Sequence, residues 1–145
     1  METDIFACVH NAGRSQMAAA FFNALADPDR ARAVSAGTQP AAAVHPAVVD
    51  VMNEAGIDIS DRRPQQLTPE LAAGAKLLVT MGCGNECPHV PGLTVDDWPL
   101  GDPKDRPRAE VVRIRDEIRD RVAALLHARH WLRTEPSRRR PVFRR

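Results

Sequence analysis

Tyrosine is missing from this 145-residue chain, and aromatic residues make up only 4% of it. A core must therefore be filled mainly by Ala, Val, Leu and Ile. No apolar run approaches the roughly 18 residues of a membrane-spanning helix. The opening "METDIF" has neither a basic n-region nor an apolar h-region, so a cytoplasmic location without a membrane partner is expected. Cysteine is confined to Cys8, Cys83 and Cys87. An odd count in such a chain resists a static disulfide framework, which leaves catalysis, metal binding or an incidental role.

Charge of one sign is not in overall excess, since the formal net charge is only +1. The balance is nevertheless uneven. Met1 to Ala128 carries a net −5, whereas seven arginines face Glu135 alone from Arg129 onward. This divides the chain into a domain over 1–130 and an Arg/Pro-rich tail over 131–145. Charge without core material reads as a solvated end, and no nucleic-acid partner is expected.

What is present is an alternation of strand and helix signals. "DIFACV" reads as a short buried strand, and "SQMAAAFFNAL" as a helix from Ser15 with Met17, Phe21 and Leu25 at a spacing of four. Ala31 to Gly37 suits a second strand. "HPAVVDVMNEAG" places Pro46 near a helix start and Gly56 beyond its end. Thr68-Pro69-Glu70 opens a short helix. Ala75 to Met81 forms a third strand and "LTVDDW" a fourth. From Pro107 to about His127, the residues Val111, Ile114, Ile118, Val122 and Leu125 make one apolar face, with Arg and Glu opposite. The alternation implies a single doubly wound α/β domain with parallel strands and right-handed crossovers, covered on both faces. Ligands of such domains bind beyond the carboxyl ends of the strands.

At that edge stands "CVHNAGRS". Cys8 ends the first strand, and Arg14-Ser15 starts the first helix. Val9, His10, Asn11, Ala12 and Gly13 must curl between them, with backbone N–H groups turned toward one point. A loop leading into a helix N-terminus is an oxyanion site. Arg14 adds a fork for two oxygens, and Ser15 can donate to the Cys8 sulfur. The same positive surroundings favour a thiolate nucleophile. Spacing alone also permits a buried, inert Cys8.

"CVHNAGRSQMA" resembles the phosphate-binding loop of the low-molecular-weight tyrosine phosphatase superfamily, and more closely its arsenate reductase branch. "SAGTQP", "AGIDISDRRPQQL", "VTMG" and "DWPLGDP" extend the resemblance over most of the chain, from about Thr3 to Ala128. It implies a four-stranded parallel sheet flanked by helices, Cys8 as nucleophile, Arg14 as anion clamp and Asp102 as general acid. Without it, Asp102 reads as a turn or cap residue. It also implies that Cys83 resolves an adduct on Cys8, that Cys87 resolves the resulting disulfide, and that thioredoxin is the final reductant. Arsenate is then the substrate, the protein acts as a monomer, and no resident cofactor is needed.

The chain departs from the family pattern at several points. Gly13 stands where the thioredoxin-coupled loop has a further cysteine. Cys83 and Cys87 are closer together than its distal pair. Relatives that bind potassium use the residue equivalent to Asn11 with an acidic residue of the first helix, where this chain has Met17-Ala18-Ala19-Ala20. The loop also resembles relatives that use a low-molecular-weight thiol and a glutaredoxin-like partner. A phosphatase would use the same Cys8, Arg14 and Asp102, with Trp98 as the one aromatic wall near the site. Zinc on Cys83, Cys87 and His89 lacks a second ligand pair, so no metal site is expected.

Overall fold

The protein is described from a computed structural model, covering residues 1–82 and 91–133. Cys83, Cys87 and His89 lie outside the described residues, as does the tail beyond Arg133. The elements follow the order β1 (Glu2–Cys8), α1 (Arg14–Leu25), β2 (Ala31–Gly37), α2 (Pro46–Glu54), α3 (Pro69–Ala73), β3 (Leu77–Thr80), β4 (Thr94–Asp97) and α4 (Arg108–Ala128). All three strand pairings are parallel, in the spatial order β2-β1-β3-β4. The doubly wound four-stranded sheet expected from the sequence is therefore present.

Alternation along β1 builds two cores, because successive side chains of a strand point to opposite faces. Phe6 and Cys8 face α1, α2 and α4 in the larger core. Ile5 and Ala7 face the smaller one, with Leu67 and Ala72. Phe6 sits edge-on to Phe22, with ring centroids 5.9 Å apart, and against Trp98 at 5.5 Å. Thr68 caps α3 by accepting the Leu71 N–H at 3.1 Å, and Pro69 fills the first helical position.

Three expectations need correction. The last turn of α4 buries Leu126 completely, while Leu125 packs only partly against the core. Arg115 does not lie on a solvated face: it is buried, donating to the Val51 carbonyl at 2.8 Å and to Glu54 at 3.0 Å. It thereby ties α4 to α2. And the sheet is not covered evenly, because all four residues of β4 are exposed, consistent with the polar sequence of an edge strand.

Candidate active site

The carboxyl edge of β1 delivers Cys8, only 3% exposed, to the floor of a loop. The loop carbonyls are turned outward and held. Val9 O accepts from Gln39 N at 2.8 Å, His10 O from Ala41 N at 2.9 Å, and Ala12 O from His45 N at 2.9 Å. Among the described residues, no N–H from His10 to Ser15 donates to a backbone carbonyl. With the carbonyls held this way, the loop N–H groups at the helix start are available to form an anion nest.

Asn11 makes this shape possible. It is fully buried with φ 52°, a left-handed conformation that asparagine tolerates better than most residues. Its side chain donates from Nδ2 to Ser15 Oγ at 2.7 Å, and its Oδ1 accepts from Gln65 N at 2.9 Å. Ser15 Oγ lies 2.9 Å from Cys8 Sγ. The Ser15 oxygen accepts from Asn11, so its own hydrogen is available to the sulfur.

Arg14 is 8% exposed and anchored at one nitrogen, with Nη1 donating to Leu100 O at 2.9 Å. Its Nε is buried without a hydrogen-bond partner among the described residues, and its Nη2 is 3.9 Å from Asp102 Oδ2. The Nε–Nη2 edge is the one that can fork onto two oxygens of a tetrahedral anion. Asp102, 46% exposed in its side chain, accepts from Lys104 N at 3.0 Å through its other oxygen. Cys8, Arg14 and Asp102 thus meet around one cavity, together with His10, Gly13 and His45. The cavity is small, about 10 Å³, close to the space one water needs.

Two glycines fit this closeness. A Cβ on Gly13 would lie 2.8 Å from Pro103 Cγ, next to Asp102, so the extra cysteine of related loops has no room here. A Cβ on Gly82 would lie 2.5 Å from Arg14 Nη1, and Gly82 has φ 87°.

His10 is exposed, and its Nδ1 lies 3.1 Å from Gln39 O, an acceptor, so the ring is oriented as part of the loop wall. His45, Gln16, Gln65 and Leu100 were not singled out by the sequence reading. His45 precedes α2 and lines the cavity; burial holds its imidazole below the usual range, Asp102 opposes that shift, and Lys104 and His10 add to it. The signal available for Gln16 was its polarity in the otherwise apolar "MAAAFF" helix. Trp98 is not a wall of the site: it is 5% exposed, packed on Phe6, and its Nε1 donates to Asp96 at 3.1 Å.

Residues 5–135 match the family of low molecular weight phosphotyrosine protein phosphatases. The chain belongs to this family. Within it, a Halobacterium salinarum protein whose name assigns it provisionally as an arsenate reductase is 38% identical over 124 residues, covering 83% of this chain and 87% of its own length. Arsenate reductase 2 of Staphylococcus haemolyticus is 32% identical, covering 83% and 93%. Among solved structures, the thioredoxin-dependent arsenate reductase of Corynebacterium glutamicum superposes with a TM-score of 0.76 at 37% identity. The match covers 88% of this chain and 61% of that longer one. No helix among the described residues is long and apolar enough to cross a membrane.

Proposed function

We propose that this member of the phosphatase family reduces arsenate to arsenite, with thioredoxin as the final electron donor. The observation that carries the proposal is the convergence of the Cys8 sulfur, the Nε–Nη2 edge of Arg14 and the Asp102 carboxyl around one cavity at the loop. The Cys8 thiolate attacks arsenic, and Asp102 protonates the oxygen that departs as water. This leaves an S–As(V) bond held by the nest and by Arg14.

The choice between hydrolysis and reduction rests on what reaches the adduct next. Cys83 attacks the Cys8 sulfur; an S–S bond forms, the S–As bond breaks, and its electron pair stays on arsenic as arsenite leaves. Cys87 then attacks Cys83 and frees Cys8 as a thiolate. The Cys83–Cys87 disulfide takes two electrons and two protons from thioredoxin. The similarity to arsenate reductases at 32–38% identity supports arsenate as the substrate, and the thioredoxin-dependent neighbour supports thioredoxin as the donor. The inward burial of Trp98 removes the aromatic wall that a phosphotyrosyl ring would use.

The test is NADPH consumption with thioredoxin and thioredoxin reductase, with and without arsenate. The relay expects arsenate-dependent consumption that is abolished in Cys8→Ser, in Cys83→Ser and in Cys87→Ser. Full turnover in Cys83→Ser overturns it. Full turnover in Cys87→Ser, with a low-molecular-weight thiol and a glutaredoxin-like protein replacing thioredoxin, assigns the electron donor to that route instead. Phosphate-ester hydrolysis without arsenate reduction leaves only the phosphatase reading.

A further inference from the structure

His45 stands where two hollows of the surface meet. Among the described residues it alone lines both the catalytic cavity and a neighbouring hollow of about 240 Å³. That second hollow is walled by Pro46, Ala47, Pro103, Lys104, Asp105 and Arg106, all exposed except Pro103. On the near side the ring packs beside the loop, since a Cβ on Gly13 would lie 3.6 Å from His45 Cδ2. His45 N donates to Ala12 O at 2.9 Å, which fastens the residue to the segment that follows Cys8. Its imidazole, by contrast, makes no hydrogen bond to any other described residue.

The proposed reduction has a proton demand that hydrolysis lacks. Arsenate dianion, two thiols and two protons from solution give neutral arsenous acid, one disulfide and one water. Two electrons pass from sulfur to arsenic as the S–As bond breaks. One oxygen departs as water, and the other three end as hydroxyls. Asp102 can supply the proton that leaves with the water, but it must then be reloaded, and the arsenic oxygens must still be protonated. In phosphomonoester hydrolysis the acid recovers its proton from the attacking water, so none is taken up overall.

We propose that His45 carries protons from solvent in the outer hollow to the oxygens of the arsenic species held on Cys8. This rests on the reductase reading. An anion in the catalytic cavity has the imidazole among its walls, while the exposed residues of the outer hollow open the same ring to water. Burial lowers the hold of the imidazole on a proton; Asp102 and Asp105 oppose this, and Lys104 and His10 add to it. Arg14 lines the inner space and Arg106 the outer one, both adding positive charge. A ring so placed takes a proton from water and gives it up readily. His10 lines the inner cavity too, but its Nδ1 lies 3.1 Å from Gln39 O and it does not line the outer hollow.

The test follows one turnover of the fully reduced full chain with arsenate, without thioredoxin, so that the electron donor cannot limit the rate. Arsenite is quantified in quenched samples at pH 7. His45→Ala should form it about 100-fold more slowly than wild type, the scale of general acid catalysis. Added imidazole should restore the rate in proportion to its concentration. Pyrazole, of the same size but a far weaker base, should not. His45→Gln covers the case in which the alanine variant does not fold, and should be slowed to a similar extent. Carboxamidomethylation of Cys8, read on its own peptide, reports whether the nucleophile survives each substitution.

Arsenite formation at the wild-type rate in both variants overturns the proposal alone. So does equal rescue by imidazole and pyrazole, which would make His45 a filler of space. A loss of Cys8 alkylation that matches the loss of arsenite formation also overturns it, because His45 would then act on the nucleophile. Absence of arsenite from wild type removes the reductase reading and the proposal together.

Discussion

Arg14 and Gly82 are fitted to one another: a Cβ at position 82 would come within 2.5 Å of Arg14 Nη1. That nitrogen is the anchored end of the guanidinium, bound to Leu100 O at 2.9 Å. Gly82→Ala should therefore act on the clamp as well as on the backbone. The left-handed φ of 87° costs an L-residue about 1–2 kcal/mol, and the collision turns the fork away from the anion. A rise in arsenate KM of about tenfold, from loss of a charged hydrogen bond of roughly 1.5–3 kcal/mol, should accompany a lower melting temperature. Gly56→Ala is the control, because Gly56 has φ 89° but open space around it. It should lower the melting temperature and leave KM unchanged. Equal effects of both substitutions on KM would remove Gly82 from the clamp argument.

Ser15 Oγ lies 2.9 Å from Cys8 Sγ, within reach to donate a hydrogen bond to the nucleophile. Ser15→Ala removes that donor and leaves Asn11 Nδ2 without its acceptor. A hydrogen bond to a charged group is worth roughly 1.5–3 kcal/mol, which corresponds to about a 10- to 100-fold loss of kcat/KM. Alkylation of Cys8 at pH 7 should slow in parallel. Unchanged alkylation with reduced turnover would show that Ser15 acts later than thiolate formation.

Asp102 stands at the cavity rim with one oxygen 3.9 Å from Arg14 Nη2 and the other accepting from Lys104 N. Asn at this position keeps the size and loses the transferable proton. General acid catalysis is typically worth about 10²- to 10⁴-fold, so Asp102→Asn should lower kcat by that order. Arsenate KM should change little, because Arg14 and the loop N–H groups do the binding. A large rise in KM with kcat preserved would make Asp102 a binding residue and not the acid.

The junction of Cys8, Arg14 and Ser15 was legible because it is local: an apolar run, a polar break and a helix start lie within eight residues. Ala31–Gly37 was legible for the same reason, as a short strand that ends at its glycine. Gln16 and Gln65 were not, since their roles depend on Arg63 O and Asn11 Oδ1, which approach from 47 and 54 positions away. Helical spacing also misplaced Arg115, because a periodic pattern has no means of showing that the Val51 carbonyl and Glu54 lie opposite it. The last apolar turn of α4 went to Leu126 because the helix meets Trp131, whose N–H bonds Leu126 O at 2.9 Å.

Asp4 was likewise read only as the start of a strand, and the structure buries it fully with neither carboxylate oxygen bonded among the described residues. Burial raises its pKa from 3.8 to about 6; the charge of Arg129 pulls it back, and that of Glu2 adds to the rise. The folded state therefore binds this proton more tightly than the unfolded chain. Below pH about 4 the carboxyl is neutral in both states and contributes no penalty. As pH rises from about 4 through 6, the unfolded chain gains more from ionising, and stability is lost. Above that window the penalty levels off at roughly 3 kcal/mol, two pKa units at about 1.4 kcal/mol each. Asp4→Asn has no such titration, so its unfolding free energy minus that of wild type should increase by about 2–3 kcal/mol between pH 4 and pH 7. Urea unfolding of both proteins at a series of pH values measures this difference directly. Curves that stay parallel across the window would mean that Asp4 is as well stabilised in its ionised form when folded as when unfolded.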